Sequence, residues 1–127
     1  MKESILSYIE EWDNVAFGEL GLAVPGFSGD QTMFHPDFPN LVLWRRVSGE
    51  GIAALLELLK AGKIHLCAVE PLVGCADGDP GPLHQLPTTD KFGPGPYREM
   101  TWVPVVFSTQ PADPAPVRNK RPKQRRN

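Results

Sequence analysis

Cysteine is scarce in this sequence, because Cys67 and Cys75 are the only two among its 127 residues. So few cysteines favour a reducing compartment, where folds do not depend on disulfides. A secretory signal is also lacking, since Lys2, Glu3 and Glu10 interrupt any apolar run near the N-terminus. No stretch approaches the roughly 18–20 consecutive apolar residues of a membrane span. We therefore expect a soluble, cytoplasmic protein with no membrane partner.

The sequence also lacks the motifs of nucleotide-cofactor binding and of hydrolysis. Gly-rich phosphate loops, dinucleotide fingerprints, nucleophile elbows and zinc-protease motifs are all missing. His35 and Asp37 flank Pro36 and could act as a base with an orienting carboxylate. A turn built on His-Pro-Asp is the interpretation that we favour. We predict that the protein is not an enzyme and carries no cofactor.

Four residues could be combined into a zinc site, because thiolate and imidazole suit that ion. They are His65, Cys67, Cys75 and His84. Their spacing fits no standard zinc motif, and the sequence leaves open whether they come together. A nucleophilic Cys67 with a histidine base would need a spatial pairing that sequence alone does not give. We predict packing roles for these residues and no metal site.

Proline and glycine, by contrast, are plentiful, with 14 and 12 residues. Both types interrupt regular elements, so much of the chain should be irregular. The length suits a single domain that folds without metal or disulfide. The elements that remain predict a small α+β fold.

In the N-terminal half, apolar residues recur at helical spacing over Lys2–Asp13 and predict a first helix. Asn14–Val24 is equally consistent with a short strand or a second short helix. Phe27–Asn40 predicts an aromatic-rich loop that packs onto the body. Leu41–Val47 predicts a short buried segment, either a strand or a helical turn.

The clearest predicted element is a helix over Ser48–Gly62. Ser48 is a good N-cap, Lys60 suits the last turn, and Gly62 suits the C-terminal end. The predicted core face holds apolar residues at i, i+3, i+4 and i+7, namely Ile52, Leu55, Leu56 and Leu59.

Two strands are predicted after this helix, over Ile64–Val73 and Met100–Ser108. We expect them to pair, with Pro104 at a sheet edge or in a bulge. Between them, Gly74–Pro96 predicts an extended loop with room for one short strand at Leu83–Leu86.

Charge is unevenly divided along the chain. Residues 1–117 contain seven basic and all 15 acidic residues, a net charge of −8. Residues 110–127 are polar and Pro-rich, which predicts a disordered linker and tail after a domain at 1–109. Such a tail attracts nucleic acid or other polyanions, whereas the body repels them. Its basic residues are Arg118, Lys120, Arg121, Lys123, Arg125 and Arg126.

The order of predicted elements resembles a winged helix-turn-helix domain. The resemblance rests on Leu58–Ile64, where a capped helix ends in Leu-Leu-Lys-Ala-Gly-Lys-Ile and a strand follows at once. It implies an α+β, winged helix-like domain of three helices and a β-hairpin with a long wing loop. Lys2–Asp13 would be the first helix, Phe17–Val24 the start of the second and Ser48–Gly62 the third. The chain departs from the superfamily in its long wing and in some 23 residues between the second and third helices.

In this superfamily the third helix enters the major groove, while the wing and flanking basic residues hold phosphates. Here the exposed face of that helix would present Gly49, Glu50, Ala53 and Glu57, which read DNA poorly. Besides the tail, the resemblance implies nucleic-acid contacts for Arg45, Arg46, Ser48, Lys60, Lys63, Lys91 and Arg98.

Two functional hypotheses follow. The first is a small regulatory protein that binds nucleic acid, with DNA as the expected partner. The second is an acidic interaction module that presents Glu50 and Glu57, acting as an inhibitor or adaptor that competes with nucleic acid for a basic partner. The oligomeric state stays open between a monomer and a dimer.

Overall fold

The computed structural model describes residues 1–70, 83, 86–89, 92 and 100–111. Within these residues the fold contains both helices and strands, which confirms the α+β class. The helices are α1 (Lys2–Trp12), α2 (Phe17–Ala23) and α3 (Gly49–Lys60). The strands are β1 (Val15–Ala16), β2 (Ser28–Phe34), β3 (Leu41–Val47), β4 (His65–Ala68), β5 (Thr101–Trp102) and β6 (Val105–Ser108).

The described strands form two small sheets. One has the order β1–β6–β4 and is antiparallel throughout, with Leu66 opposite Phe107. The other has the order β2–β3–β5, with β2 antiparallel and β5 parallel to β3. The predicted pairing of the strand after α3 with the strand near residue 108 is confirmed.

Pro104 divides the last predicted strand into two strands of different sheets. Before it, the Val103 N–H donates to the Val42 carbonyl in the β2–β3–β5 sheet, at 3.0 Å. Beyond it, β6 runs between β1 and β4. Proline has no N–H to donate, so the ladder of β5 ends there. The prediction of one strand with an edge or bulged proline was therefore wrong.

The predicted loop Phe27–Asn40 is wrong over Ser28–Phe34, which form the irregular strand β2. Ser28 and Gln31 both lie opposite Val47, so the register shifts within the pair. Only Met33 of this strand is buried. Its apolar residues therefore do not alternate, and alternation is the signal by which a strand is predicted from sequence.

The ring of Phe17 joins the two sheets. It stacks on Trp44 of β3 at 6.1 Å and meets Phe107 of β6 edge-on at 4.9 Å, both between ring centroids. Ile5 and Ile9 of α1 are fully buried in the same core. The predicted first helix is thus confirmed, and the ambiguous segment Asn14–Val24 contains both a short strand and a short helix.

The core face of α3 differs from the predicted one. Ile52 and Leu59 are half-buried and Leu56 is exposed. The helix lies so close to Phe27 that a Cβ on Gly51 would stand 3.0 Å from its ring. Small side chains permit this approach, and the buried side of α3 consists of Gly51, Ala54, Leu55 and Leu58.

Several predicted elements lie wholly or largely outside the described residues. They are the loop Gly74–Pro96 with its short strand, the end of the strand predicted over Ile64–Val73, and residues 112–127 of the linker and tail.

Candidate interaction surface

Helix α3 begins at a well-bonded cap. The hydroxyl of Ser48 accepts a hydrogen bond from the Gly51 N–H at 2.9 Å and donates one to the Gly26 carbonyl at 2.6 Å. The predicted N-cap is confirmed. Both hydrogen bonds are internal to the protein, so the Ser48 hydroxyl already has a donor and an acceptor within the fold. A phosphate contact was predicted for this residue.

Up to Glu57 the outward side of α3 is acidic and apolar, and Lys60 is exposed one turn further on. Gly49, Glu50, Ala53 and Glu57 are exposed, as predicted. Leu56 is 38 % exposed one turn beyond Ala53, about 100° around the helix from Glu57. We call Glu50, Ala53, Leu56 and Glu57 the α3 face. It offers two carboxylates and an apolar contact, and no hydrogen-bond donor from its side chains.

One carboxylate of the α3 face is paired with α1. Lys2 Nζ lies 3.4 Å from Glu57 Oε1, and the two side chains are 41 % and 66 % exposed. An exposed pair of this kind contributes little to stability. It does reduce the charge that Glu57 presents, so Glu50 is the stronger negative centre on the α3 face.

The β2–β3 pair stands beside the first turn of α3. A Cβ on Gly49 would lie 3.0 Å from Gln31 Nε2, and Gly29 is pressed against Ser48. Asp30 is exposed on the same strand. The N-terminal end of α3 is therefore flanked by another element, and that is the end that reaches base edges in groove-binding helices.

The predicted phosphate-binding residues of the described chain fall into two groups. Arg45 and Arg46 lie at the end of β3, whereas Lys60 and Lys63 lie at the far end of α3. A 12-residue helix is roughly 18 Å long, so α3 separates the groups by about that distance. The structure does not bring these four side chains together. Lys91, Arg98 and the six basic tail residues lie outside the described residues.

The outward side of α1 is acidic as well. We call Glu3, Ser7, Glu10 and Glu11 the α1 face, and all four are exposed. The last turn of α1 contains no basic residue. Carboxylates at a helix C-terminus face the negative end of the helix dipole, which is unfavourable unless a cation lies nearby. Residues 1–70 contain ten acidic and five basic residues in total.

The residues proposed for metal binding do not form a cluster in the described part of the chain. Cys67 is buried among Ala16, Val69 and Val106. His65 is half-buried on the same strand. Among the described residues, no group of three or more potential ligands comes together. Cys75 and His84 lie outside them.

His35 and Asp37 form a turn, as the favoured interpretation predicted. The Asp37 N–H donates to His35 Nδ1 at 3.0 Å. The imidazole also packs against the rings of Phe38 and Phe92, each 4.8 Å away between centroids. Burial lowers the pKa of His35, and the Asp37 carboxylate opposes that shift. The neutral ring is thus favoured, with Nδ1 occupied by the turn.

Glu19 is a buried acidic residue whose burial and capping role the sequence did not predict. Glu19 is fully buried in the first turn of α2, where Oε1 accepts a hydrogen bond from the Ala16 N–H at 3.1 Å. The Tyr8 hydroxyl lies 3.5 Å from Oε2. A capping box is normally recognised by Ser or Thr three residues before the glutamate, and Ala16 stands there instead.

No helix among the described residues is long and apolar enough to cross a membrane. The helices that carry the α1 face and the α3 face are joined by the Lys2–Glu57 pair. The chain matches no known family model, no curated protein and no solved structure.

Proposed function

We propose that the protein is an acidic interaction module that binds a cationic protein partner through the α3 face. The observation that carries the proposal is Leu56, which is 38 % exposed on the outward side of α3, to one side of the carboxylates of Glu50 and Glu57. A helix side of this composition can dock in a groove, with the apolar side chain in a pocket and the carboxylates at a cationic rim.

The charge balance supports a cationic partner. Residues 1–70 contain twice as many acidic as basic residues, so their field attracts positive surfaces and speeds association at low salt. Proteins that bind nucleic acid present such surfaces. The module would act as an inhibitor or adaptor that competes with nucleic acid for that surface.

The α3 face argues against base recognition by this helix. Its side chains include two carboxylates and no amide or guanidinium group, which are the groups that read guanine and adenine. The hydroxyl of Ser48 is bonded within the fold. The β2–β3 pair also flanks the first turn.

A site-specific cross-link tests the proposal. A photo-cross-linking residue at Ala53 on the α3 face would be compared with one at Thr32, which is exposed on β2. In nuclease-treated extract, we expect a protein with a basic surface to be captured from position 53 and not from position 32. Glu50→Lys should abolish the capture, and Glu70→Lys, a matched reversal at another exposed site, should not.

A charge swap tests whether a loss of capture comes from the partner contact or from a loss of stability. Lys2→Glu combined with Glu57→Lys keeps the pair between α1 and α3 but moves the negative charge off the α3 face. We expect this double variant to unfold as the parent does and to lose part of the capture. Equal capture from positions 53 and 32, or capture unaffected by Glu50→Lys, would overturn the proposal.

Nucleic-acid binding through the tail is the second candidate function. It is favoured by the six basic residues in the last ten positions. Three helices followed by the antiparallel pair of β4 and β6 also fit a winged helix-like arrangement, although the β2–β3 pair stands between α2 and α3. The tail neutralises phosphates without reading bases.

Mobility shifts with random duplex DNA at low and high salt test this second function. Replacing the six basic tail residues by Gln should reduce affinity at least about tenfold at low salt. Arg45→Ala with Arg46→Ala should change the DNA affinity little. Helix α3 separates these two side chains from Lys60 and Lys63, so the four do not form one basic patch. Glu50→Lys should strengthen DNA binding while it weakens partner binding. Absence of any DNA binding at low salt would exclude this function.

A further inference from the structure

The chain leaves the folded body beside the acidic end of α1. The N–H of Thr109, just beyond β6, donates to Asp13 Oδ1 at 3.2 Å. Asp13 directly follows α1, and Glu10 and Glu11 are exposed in its last turn. The hydrogen bond therefore places the start of the linker at one end of the α1 face.

The length of the linker allows the tail to reach all of the α1 face. Eight residues separate Thr109 from Arg118, and they span at most about 30 Å when extended. Helix α1 has 11 residues and is roughly 16 Å long. A tethered segment within this reach has an effective concentration on the order of millimolar.

The charges of the two segments are complementary. Residues 118–127 contain six basic residues and no acidic one, whereas the α1 face contains three carboxylates and no basic residue. The last turn of α1 also lacks the cation that would favour its dipole. The residues of this helix side are exposed, and Glu3 Oε1 lies 4.0 Å from the N-terminal ammonium.

We propose that the basic tail, residues 118–127, docks on the α1 face of its own chain. The contact is a set of exposed ion pairs, each weak alone and screened by salt. It does not depend on whether the α3 face binds a partner. Its consequence is that phosphate must displace the tail from α1 before the tail can bind nucleic acid, so the body moderates the tail's affinity.

Paramagnetic broadening in the full-length chain tests the contact. A spin label at Asn127→Cys, with Cys75→Ser and the buried Cys67 retained, reports which amides the end of the tail approaches. At about 20 mM salt we expect broadening of the α1 amides from Ser7 to Asp13, and loss of most of it at about 0.5 M salt. A labelled chain whose six basic tail residues are Gln gives the background from tethering alone.

A second set of variants, in which matched pairs of carboxylates are removed, tests the same contact by paramagnetic broadening. Glu10→Gln with Glu11→Gln should reduce the broadening of α1 to the tethering background, and Asp30→Asn with Glu70→Gln, at two other exposed carboxylates, should leave it unchanged. Broadening equal to the background in the parent, or insensitive to Glu10→Gln and Glu11→Gln, would overturn the proposal. So would broadening seen only between labelled and unlabelled molecules in a mixture, because that contact would be intermolecular.

Discussion

Gly29 and Ser48 approach so closely that a Cβ built on Gly29 would stand 2.5 Å from the Cα of Ser48 and 2.7 Å from its nitrogen. Both neighbouring atoms belong to the backbone, which cannot move aside as a side chain can. The start of β2 is thus pressed against the residue that begins α3. The absence of a side chain at Gly29 allows the β2–β3 pair to lie beside this helix.

We expect Gly29→Ala to destabilise the protein by roughly 3 kcal/mol, because overpacking against backbone forces the strand away from Ser48. Gly49→Ala is the matched control. There the neighbour is the end of the Gln31 side chain, which can rotate. We expect that control to change stability by less than about 0.5 kcal/mol. Urea unfolding of the two variants measures the difference, and equal stabilities would contradict the close approach.

Ser48→Ala should lower stability by about 1–2 kcal/mol, since it removes the N-cap bond to the Gly51 N–H and leaves the Gly26 carbonyl without its hydroxyl donor. Ser48→Asp keeps an acceptor for the Gly51 N–H but cannot donate to the Gly26 carbonyl, so it should recover only part of the stability. Thermal unfolding measures both effects.

Ser48→Ala also separates a cap from a phosphate contact. If Ser48 acts only as a cap, DNA binding by Ser48→Ala at a temperature where it is folded should equal that of the parent. Ser7→Ala on the α1 face is the control for loss of an exposed serine, and it should leave stability and binding unchanged. A loss of DNA affinity specific to Ser48→Ala would restore the predicted phosphate contact.

Local signals in the sequence predicted α1, α3 and the cap at Ser48, because helical spacing and capping act over a few residues. They did not predict β2, since a strand that buries only Met33 has no alternating pattern. They also assigned Leu56 to the core. The close approach of Phe27 to Gly51 decides which side of α3 is buried, and that approach is a tertiary contact.

For the candidate surface, the sequence predicted which residues are exposed but not which residues they contact. The exposure of Glu50 and Glu57 followed from the helical pattern. The pairing of Glu57 with Lys2 joins residues 55 positions apart, and the bond between Asp13 and Thr109 joins residues 96 apart. Neither has a signature in one sequence, because only the packed fold brings these residues together.

Stability should rise with pH as His35 loses its proton. Burial holds the pKa of folded His35 below its ordinary value of 6.5, so between the two values the unfolded chain binds more protons than the folded one. The contribution is therefore unfavourable in acid and disappears above about pH 6.5. We expect His35→Asn, which keeps an acceptor for the Asp37 N–H, to flatten this rise. Urea unfolding across the range measures it, and an unchanged slope would contradict the assignment.

Asp37→Asn should strengthen the pH dependence of stability, whereas His35→Asn should weaken it. The carboxylate raises the pKa of His35 against the effect of burial, so its removal should lower that pKa further. The pH range over which stability rises then becomes wider, and acid destabilises this variant more than the parent. NMR titration of the His35 ring measures the pKa directly. A rise in the pKa of His35 on Asp37→Asn would show that the carboxylate does not favour the protonated ring.

Leu55 and Leu56 are neighbours on α3 with opposite environments, because Leu55 is fully buried and Leu56 is 38 % exposed. We expect Leu55→Ala to cost about 3 kcal/mol through the cavity it leaves. Leu56→Ala should cost less, about 1 kcal/mol, since more than a third of its surface is already exposed and alanine is a good helix former. If the α3 face binds the cationic partner, Leu56→Ala should still reduce the cross-linked fraction from position 53, although the protein stays folded. Urea unfolding and cross-linking on the same samples measure both quantities. A Leu56→Ala variant with full capture would show that the apolar side chain of the α3 face takes no part in binding.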